Sequence, residues 1–173
     1  MKKIFITLLA VTALSVSFVS AQNARRAVGD KSLDLGVGFH TAAVGYSLVV
    51  PPVDAAFEYT VLDWGTAGTL SAGGLVSFGV DKYSNVSFTS VFVGPLTCYR
   101  FPIMENLDLF GKVALGYCSI NASETVYREV LKSSGFAWAG YVGATYYFSE
   151  KLGVGFQLGT GLATAELHLT IKL

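Results

Sequence analysis

The chain ends in the sequence GVGFQLGTGLATAELHLTIKL, residues 153–173, in which apolar and polar side chains alternate. Over residues 166–173 every odd position holds leucine or isoleucine, and every even position holds a polar or charged residue. A second alternating run, residues 152–159, is separated from this one by residues 160–164. A period of two residues is typical of a β-strand whose two faces have different surroundings. The sequence therefore predicts a final β-hairpin with one apolar and one polar face.

The same alternation recurs upstream and predicts an all-β fold. The predicted strands are residues 33–40, 54–61, 69–80, 86–101, 107–117, 136–148, 152–159 and 166–173. Pro51 and Pro52 are expected to break the chain between the first two strands. In the fourth strand Phe92 and Leu96 fall on the polar side and Pro95 on the apolar side, so a β-bulge there is an alternative to a continuous strand. Eight strands whose last member can pair with the first indicate a closed, antiparallel, up-and-down barrel, because closure leaves no free sheet edge.

The first 21 residues have the features of a secretory signal peptide. Two lysines precede an apolar run, residues 4–19, and small residues precede the expected cleavage after Ala21. This run is shorter than the roughly 20 residues with which a helix crosses a bilayer, which argues against a retained anchor. The polar residues 22–31 are predicted to be a flexible periplasmic lead-in, and residues 32–173 are predicted to form the barrel domain.

The composition indicates a protein whose surface largely avoids water. Charged residues make up 14% of the chain and hydrophobic residues 52%, whereas soluble domains carry about 25% charged residues. Removal of the signal peptide with its two lysines leaves 10 Lys and Arg against 12 Asp and Glu, a net charge of −2. This balance gives no basis for nucleic-acid binding.

Two kinds of barrel share this alternation, and they differ in which face is outside. In a soluble calycin-like barrel the apolar face fills the interior, whereas in an outer-membrane barrel it faces lipid. The predicted apolar face carries Trp138 and many Phe, Tyr and Leu residues, and the polar face is rich in Gly, Ala and Ser. Eight strands enclose only enough room for side chains to fill, so the bulky face is expected outside. Two bands of aromatic residues near opposite strand ends also favour a transmembrane barrel.

Four segments resemble those of a known family. They are PPVDAAFEYTVLD (51–63), VGPLTCYRFP (93–102), NLDLFGKVALGY (106–117) and YVGATYYFSEKLGVGFQLGTG (141–161). These segments are similar to those of small outer-membrane β-barrel proteins of Gram-negative bacteria, in particular Bacteroidetes-type members with OmpX-like architecture. The resemblance implies an eight-stranded barrel in the cell outer membrane, with outer-membrane lipid and the barrel assembly machinery as partners. Such barrels commonly end in an aromatic residue, and this chain ends in Leu173.

The polar face places charged side chains in the predicted lumen. They are Asp34, His40, Asp54, Glu58, Arg100, Asp108, Lys112, Glu166, His168 and Lys172. Because unpaired buried charges cost several kcal/mol, we expect these groups to form a salt-bridged plug. A path for protons or small solutes is the alternative, but it needs a wider lumen than eight strands normally provide. No cofactor is implied, and two histidines on different strands without a third ligand do not predict a metal site.

The sequence leaves more than one function open. Glu166, His168 and Thr170 alternate along one face and could form an acid, base and nucleophile set. Some eight-stranded barrels modify lipid A with His, Ser and an acidic residue, but here Thr replaces Ser and the set points into the lumen. The sequence favours a monomeric, non-enzymatic barrel with an envelope or surface-interaction role over a lipid A modifying enzyme or a narrow channel. The polar insertion at residues 121–134 is the predicted site for an extracellular partner.

Cys98 and Cys118 lie on neighbouring predicted strands, both on the inner face. If Phe101 faces Leu107, then Cys98 faces Phe110, eight residues from Cys118. That separation is ~27 Å along a strand, whereas a disulfide requires Cα atoms within about 7 Å. Two free, buried thiols are therefore predicted.

Overall fold

A computed structural model describes residues 25–39, 46–123 and 134–173, which form eight β-strands and one short 3-10 helix, Gly65–Ala67. The strands are Lys31–Phe39 (β1), Tyr46–Asp63 (β2), Thr69–Tyr83 (β3), Val86–Met104 (β4), Leu107–Ala122 (β5), Gly135–Tyr147 (β6), Leu152–Thr160 (β7) and Ala165–Lys172 (β8). The predicted signal peptide lies outside the described residues. No helix in the described part of the chain is long and apolar enough to cross a membrane.

The strands close into a barrel in which sequence neighbours pair antiparallel and β8 pairs with β1. In this closing seam Leu33 lies opposite Ile171, and Gly38 lies opposite Glu166. The predicted fold, an eight-stranded antiparallel up-and-down barrel, is confirmed. We call the end of the barrel that holds residues 25–30, Leu173 and the β2–β3, β4–β5 and β6–β7 links the terminal end. The opposite end, which holds the other four links, is the loop end.

Apolar side chains face outward and polar side chains face inward. On the outer surface Val142 is 67% exposed and Leu167 is 57% exposed, whereas inside the barrel Glu58 and Arg100 are at most 1% exposed. Hydration of a continuous apolar surface is unfavourable by about 25 cal/mol per Å², and water-soluble monomers rarely expose such surfaces. An apolar exterior around a polar interior is the arrangement of a transmembrane barrel.

Exposed aromatic side chains lie near both rims of the outer surface. They are Tyr59, Tyr99, Phe101 and Tyr146 toward the terminal end, and Phe39, Tyr117, Phe136 and Trp138 toward the loop end. On β6, Trp138 and Tyr146 are eight residues apart, ~27 Å along the strand. With the strand tilted, this spacing is close to the height of the apolar band of outer-membrane barrels, which aromatic girdles flank.

The second strand is longer than predicted because it includes both prolines. Pro51 and Pro52 lie within β2, and the register with β3 shifts between Val50 and Val53. A β-bulge at this point accommodates two residues whose backbone nitrogens cannot donate a hydrogen bond. The prediction that the prolines separate two strands is therefore wrong.

The fourth strand carries bulky apolar side chains into the lumen. The register between β3 and β4 is continuous through Pro95, so no bulge turns Phe92 or Leu96 outward. Phe92 and Leu96 are nearly fully buried and pack with Leu75 and Tyr141 in an apolar cluster. Since β4 runs from the loop end to the terminal end, this cluster lies on the loop side of the charged residues around Arg100.

Both cysteines are free, as predicted, but only Cys98 is buried; the prediction of a buried Cys118 is wrong, because this residue is partly exposed near the loop end of β5. Cys98 lies opposite Lys112 and Cys118 lies opposite Phe92. The predicted register between β4 and β5 was therefore displaced by two residues, although the two thiols still lie too far apart along the strands to bond.

The burial of Cys98 makes its reactivity testable. This residue has no exposed surface, so maleimide is expected to leave Cys98 unmodified in the folded barrel and to label both cysteines after unfolding, as peptide mass mapping can measure. Without a reducing agent, the intact mass should equal that of the dithiol. A mass lower by two hydrogens would reveal a disulfide and contradict this prediction.

Candidate functional site

Arg100, on β4, is the centre of a charged network that fills the terminal half of the lumen. Its Nε and Nη2 atoms donate to the two carboxylate oxygens of Glu58, both at 3.0 Å. Nη2 also donates to Oδ2 of Asp34 at 2.9 Å, and Nη1 donates to Oδ1 of Asp108 at 3.4 Å. A guanidinium that bonds both oxygens of a carboxylate makes one of the stronger contacts in proteins. One side chain thus connects β4 with β1, β2 and β5.

Lys112, on β5, is the second cation of this network. Its Nζ atom donates to Oδ2 of Asp34 and lies 3.4 Å from Oε1 of Glu58. Phe110 contacts both inner cations, since its ring centroid lies 4.7 Å from Nζ of Lys112 and 4.9 Å from Cζ of Arg100. Contacts of this kind contribute about 0.5–2 kcal/mol. Phe110 therefore stabilises the charged layer, although it is apolar and lies on the inner face.

Arg26 is the third cation, and it comes from the segment before β1. The residue is 3% exposed. Its Nη1 atom donates to Ser32 at 2.6 Å and to Glu58 at 3.3 Å, and Nη2 donates to the Tyr147 hydroxyl at 3.2 Å. Gly29 also pairs through its backbone with β2. The expectation of a flexible lead-in is therefore wrong for residues 25–30, because Arg26 anchors this segment inside the barrel.

The charges of this network balance. We call it the lumenal plug, and its ionised members are Arg26, Arg100, Lys112, Asp34, Glu58 and Asp108. Burial and the nearby Arg100 cation act to lower the pKa of the Arg26 guanidinium, but the Tyr147 hydroxyl and the Glu58 and Asp34 carboxylates raise this pKa above its ordinary value. Arg26 is therefore charged at neutral pH, and it gives the plug a third cation to match its three carboxylates.

Two adjacent arginines allow a direct test of this role. Arg26→Met is expected to lower the free energy of unfolding by about 1.5–3 kcal/mol, the usual worth of a hydrogen bond to a charged group. Arg25→Met is the matched control, because Arg25 is half exposed and its ion pair with Asp63 spans 3.8 Å. Exposed pairs contribute about 0–1 kcal/mol. Equal losses in the two variants, measured by urea unfolding, would contradict an anchoring role for Arg26.

The remaining predicted lumen residues lie in different places. Glu166 and His168 are buried on the inner face of β8, and Nζ of Lys172 lies 4.3 Å from the ring centroid of Tyr147. Asp54 is partly buried on β2. His40 lies outside the described residues. The structure thus brings Asp34, Glu58, Arg100, Asp108 and Lys112 together in the plug and leaves Asp54 and Glu166 outside it.

The acid, base and hydroxyl on β8 do not act on one another. Glu166 accepts a hydrogen bond from Nε2 of Gln157 at 2.8 Å. His168 bonds Thr145 at 3.2 Å, and Thr170 donates to Asp34 at 2.7 Å. A catalytic set requires the base to contact the nucleophile and a third group to orient the base. These three side chains have separate partners and do not form such a set.

Comparisons with known proteins add a likeness to small membrane barrels. No protein-family model and no curated protein matches the sequence. Among solved structures, a de novo designed transmembrane β-barrel is 15% identical, with 86% of this chain and 98% of that chain covered and a TM-score of 0.49. The Yersinia pestis outer membrane protein Ail, solved in a phospholipid bilayer nanodisc, is 16% identical, with 84% and 99% covered and a TM-score of 0.44. The crystal structure of Ail, the attachment invasion locus protein, is 12% identical, with 84% and 96% covered and a TM-score of 0.44. The likeness concerns the fold alone.

The arrangement of the plug determines what the lumen can do. Its members come from β1, β2, β4, β5 and the segment before β1, and Tyr147 adds a contact from β6 through its bond to Asp108 at 3.2 Å. The charged groups are therefore bonded to each other across the lumen and not displayed to a passing solute. In the described residues, no group of three or more His, Cys, Asp or Glu side chains is arranged to hold a metal ion.

Proposed function

We propose that the protein is a non-enzymatic integral protein of the cell outer membrane with a role in envelope structure or surface interaction. The observation that carries this proposal is the apolar outer surface around a lumen filled by the lumenal plug. Such a barrel is stable in a bilayer, because every backbone polar group in its wall can pair with a neighbouring strand. The signal peptide predicted at residues 1–21 supports export, as the outer membrane requires.

The interior favours this role over the two alternatives. A solute channel needs an open lumen, whereas here Arg100 bonds carboxylates from three other strands. A lipid A modifying enzyme needs a nucleophile that reaches lipid, whereas Thr170 is fully buried and donates to Asp34. The non-enzymatic role is therefore the better supported one.

We infer that any interaction with other molecules occurs at the loop end. The protein is proposed to be monomeric and to enter the membrane through the barrel assembly machinery, with its terminal end facing the periplasm. Residues 121–134 are the proposed site for an extracellular partner, and most of them lie outside the described residues. Membership of a Bacteroidetes-type barrel family is part of this proposal, and it rests on the four similar segments.

A strain that lacks the protein would test the proposal. The protein is expected in the outer-membrane fraction, with heat-modifiable migration on gels, and lipid A from the deletion strain is expected to have an unchanged mass spectrum. A gain or loss of one acyl chain would contradict a non-enzymatic role and favour a lipid A modifying enzyme. Discrete conductance steps in planar bilayers, absent for the heat-denatured protein, would instead favour a channel.

A further inference from the structure

Asp54 and Glu166 form a second acidic group in the lumen, separate from the lumenal plug. Asp54 comes from β2 and Glu166 from β8, and their carboxyl groups lie next to each other. Both carboxyl groups lie over Gly36 of β1, where a Cβ atom would overlap Oδ1 of Asp54 and Oε1 of Glu166. Glycine at position 36 therefore allows two acidic side chains from opposite neighbouring strands to meet.

This pair lacks a cationic partner of its own. Two carboxyl groups in contact cannot both be ionised unless a cation lies between or beside them. Lys112 acts on both at longer range, but its Nζ atom is bonded to Asp34 and paired with Glu58. In the described residues, neither Asp54 nor Glu166 forms an ion pair with a Lys or Arg side chain. The pair must therefore hold either a proton or a cation from solution.

Gln157, on β7, brings a buried carboxamide with one unpaired oxygen to this acidic pair. This side chain is 1% exposed, and its amide nitrogen donates to Oε1 of Glu166 at 2.8 Å. Its carbonyl oxygen is buried without a hydrogen-bond partner, and so is Oδ1 of Asp54. Buried acceptor oxygens without a partner are unfavourable. Rotation of the carboxamide would exchange its oxygen and nitrogen and turn the oxygen toward Glu166, as a cation at this position would require.

We propose that Asp54, Glu166 and Gln157 bind a calcium ion in the lumen. Carboxylate and carboxamide oxygens are hard ligands that suit Ca²⁺, which accepts six to eight oxygens in irregular geometry. Two carboxylates match its double charge. Asp54 is only partly buried, so water can complete the coordination shell. The ion would connect β2, β7 and β8 beside the closing seam, in a part of the lumen that the plug does not reach.

Calcium titration of the full-length protein in a zwitterionic detergent tests this proposal. Ca²⁺ is expected to raise the urea midpoint of unfolding in proportion to the logarithm of its concentration, because it binds only the folded state. Glu166→Gln keeps the shape of the side chain but removes a charge. It is expected to weaken Ca²⁺ binding by more than about tenfold, since even an outer-shell partner of a metal ligand has an effect of that size. Glu150→Gln, in the exposed β6–β7 link, is the matched control and should bind Ca²⁺ as the unmodified protein does.

A gain-of-function variant keeps the test decisive if Glu166→Gln fails to fold. Gln157→Glu adds a third carboxylate and is expected to bind Ca²⁺ more tightly and to show a larger midpoint shift. Tb³⁺ luminescence excited through tyrosine should report the same order of affinities, because Tyr141 is buried in the lumen near both carboxyl groups. The absence of a Ca²⁺-dependent shift, or an equal shift in Glu166→Gln, would overturn the proposal and leave a pair that shares a proton.

Discussion

Arg100→Met is expected to lower the free energy of unfolding by about 3–5 kcal/mol, the usual cost of removing one partner from a buried ion pair. The variant removes the plug cation that pairs with Glu58, Asp34 and Asp108. It also removes the two 3.0 Å bonds to Glu58. Urea unfolding of the refolded barrel in phospholipid vesicles would measure the loss.

Two further variants separate the charge of Arg100 from its geometry. Arg100→Lys keeps the positive charge but cannot bond both oxygens of Glu58, so a smaller loss is expected. The double variant Arg100→Met with Glu58→Gln removes both partners, and its loss should be smaller than the sum of the two single losses. A loss below about 1 kcal/mol in Arg100→Met, the range of exposed pairs, would mean that water screens the plug.

Val142→Arg is expected to destabilise the barrel by about 2–4 kcal/mol in vesicles, because an arginine at the bilayer midplane must leave water. Val142 is exposed on the outer face of β6, halfway between Trp138 and Tyr146. If the same surface faced water, the substitution would be almost neutral, as surface changes usually are. The variant therefore tests the membrane placement directly.

Val28→Arg provides the matched control for the lipid-facing substitution. Val28 is 60% exposed, a value similar to that of Val142, but it lies before β1 and outside the barrel wall. A change within about 0.5 kcal/mol is expected there. Losses of the same size in both variants, measured in the same vesicles, would contradict the assignment of the outer face of β6 to lipid.

The fold was predictable from the sequence because alternation reports which side of a sheet each residue faces. Residues 166–173 alternate without a break, and they form β8 beside β1 as expected. The errors occur where the backbone departs from a regular strand. The bulge at Pro51 and Pro52 and the two-residue displacement between β4 and β5 depend on pairing with a neighbouring strand, which no single strand encodes.

The sequence predicted most of the residues that line the site, but it did not predict which of their side chains bond to each other. The alternation along each strand predicts that Arg100 and Glu58 face inward. It does not predict that these two side chains bond, because that contact depends on packing across the lumen. Tyr147 has the parity of an inward residue and could have been found by extending the alternation of β6. Arg26 could not have been identified from the sequence as an inward residue, because it lies outside every alternating run. Its burial depends on a barrel that has already closed.

The closing seam has a consequence for the order of folding. Leu33 and Ile171 are 138 residues apart in the chain and pair directly, and contacts between such distant residues form late because loop closure costs entropy. Arg26 then has its full set of partners only after β1, β2 and β6 have come together. A half-assembled barrel would carry two open edges and unneutralised carboxylates, so intermediates should be scarcely populated. Unfolding is therefore expected as a single cooperative transition in which the wall and the plug are lost together.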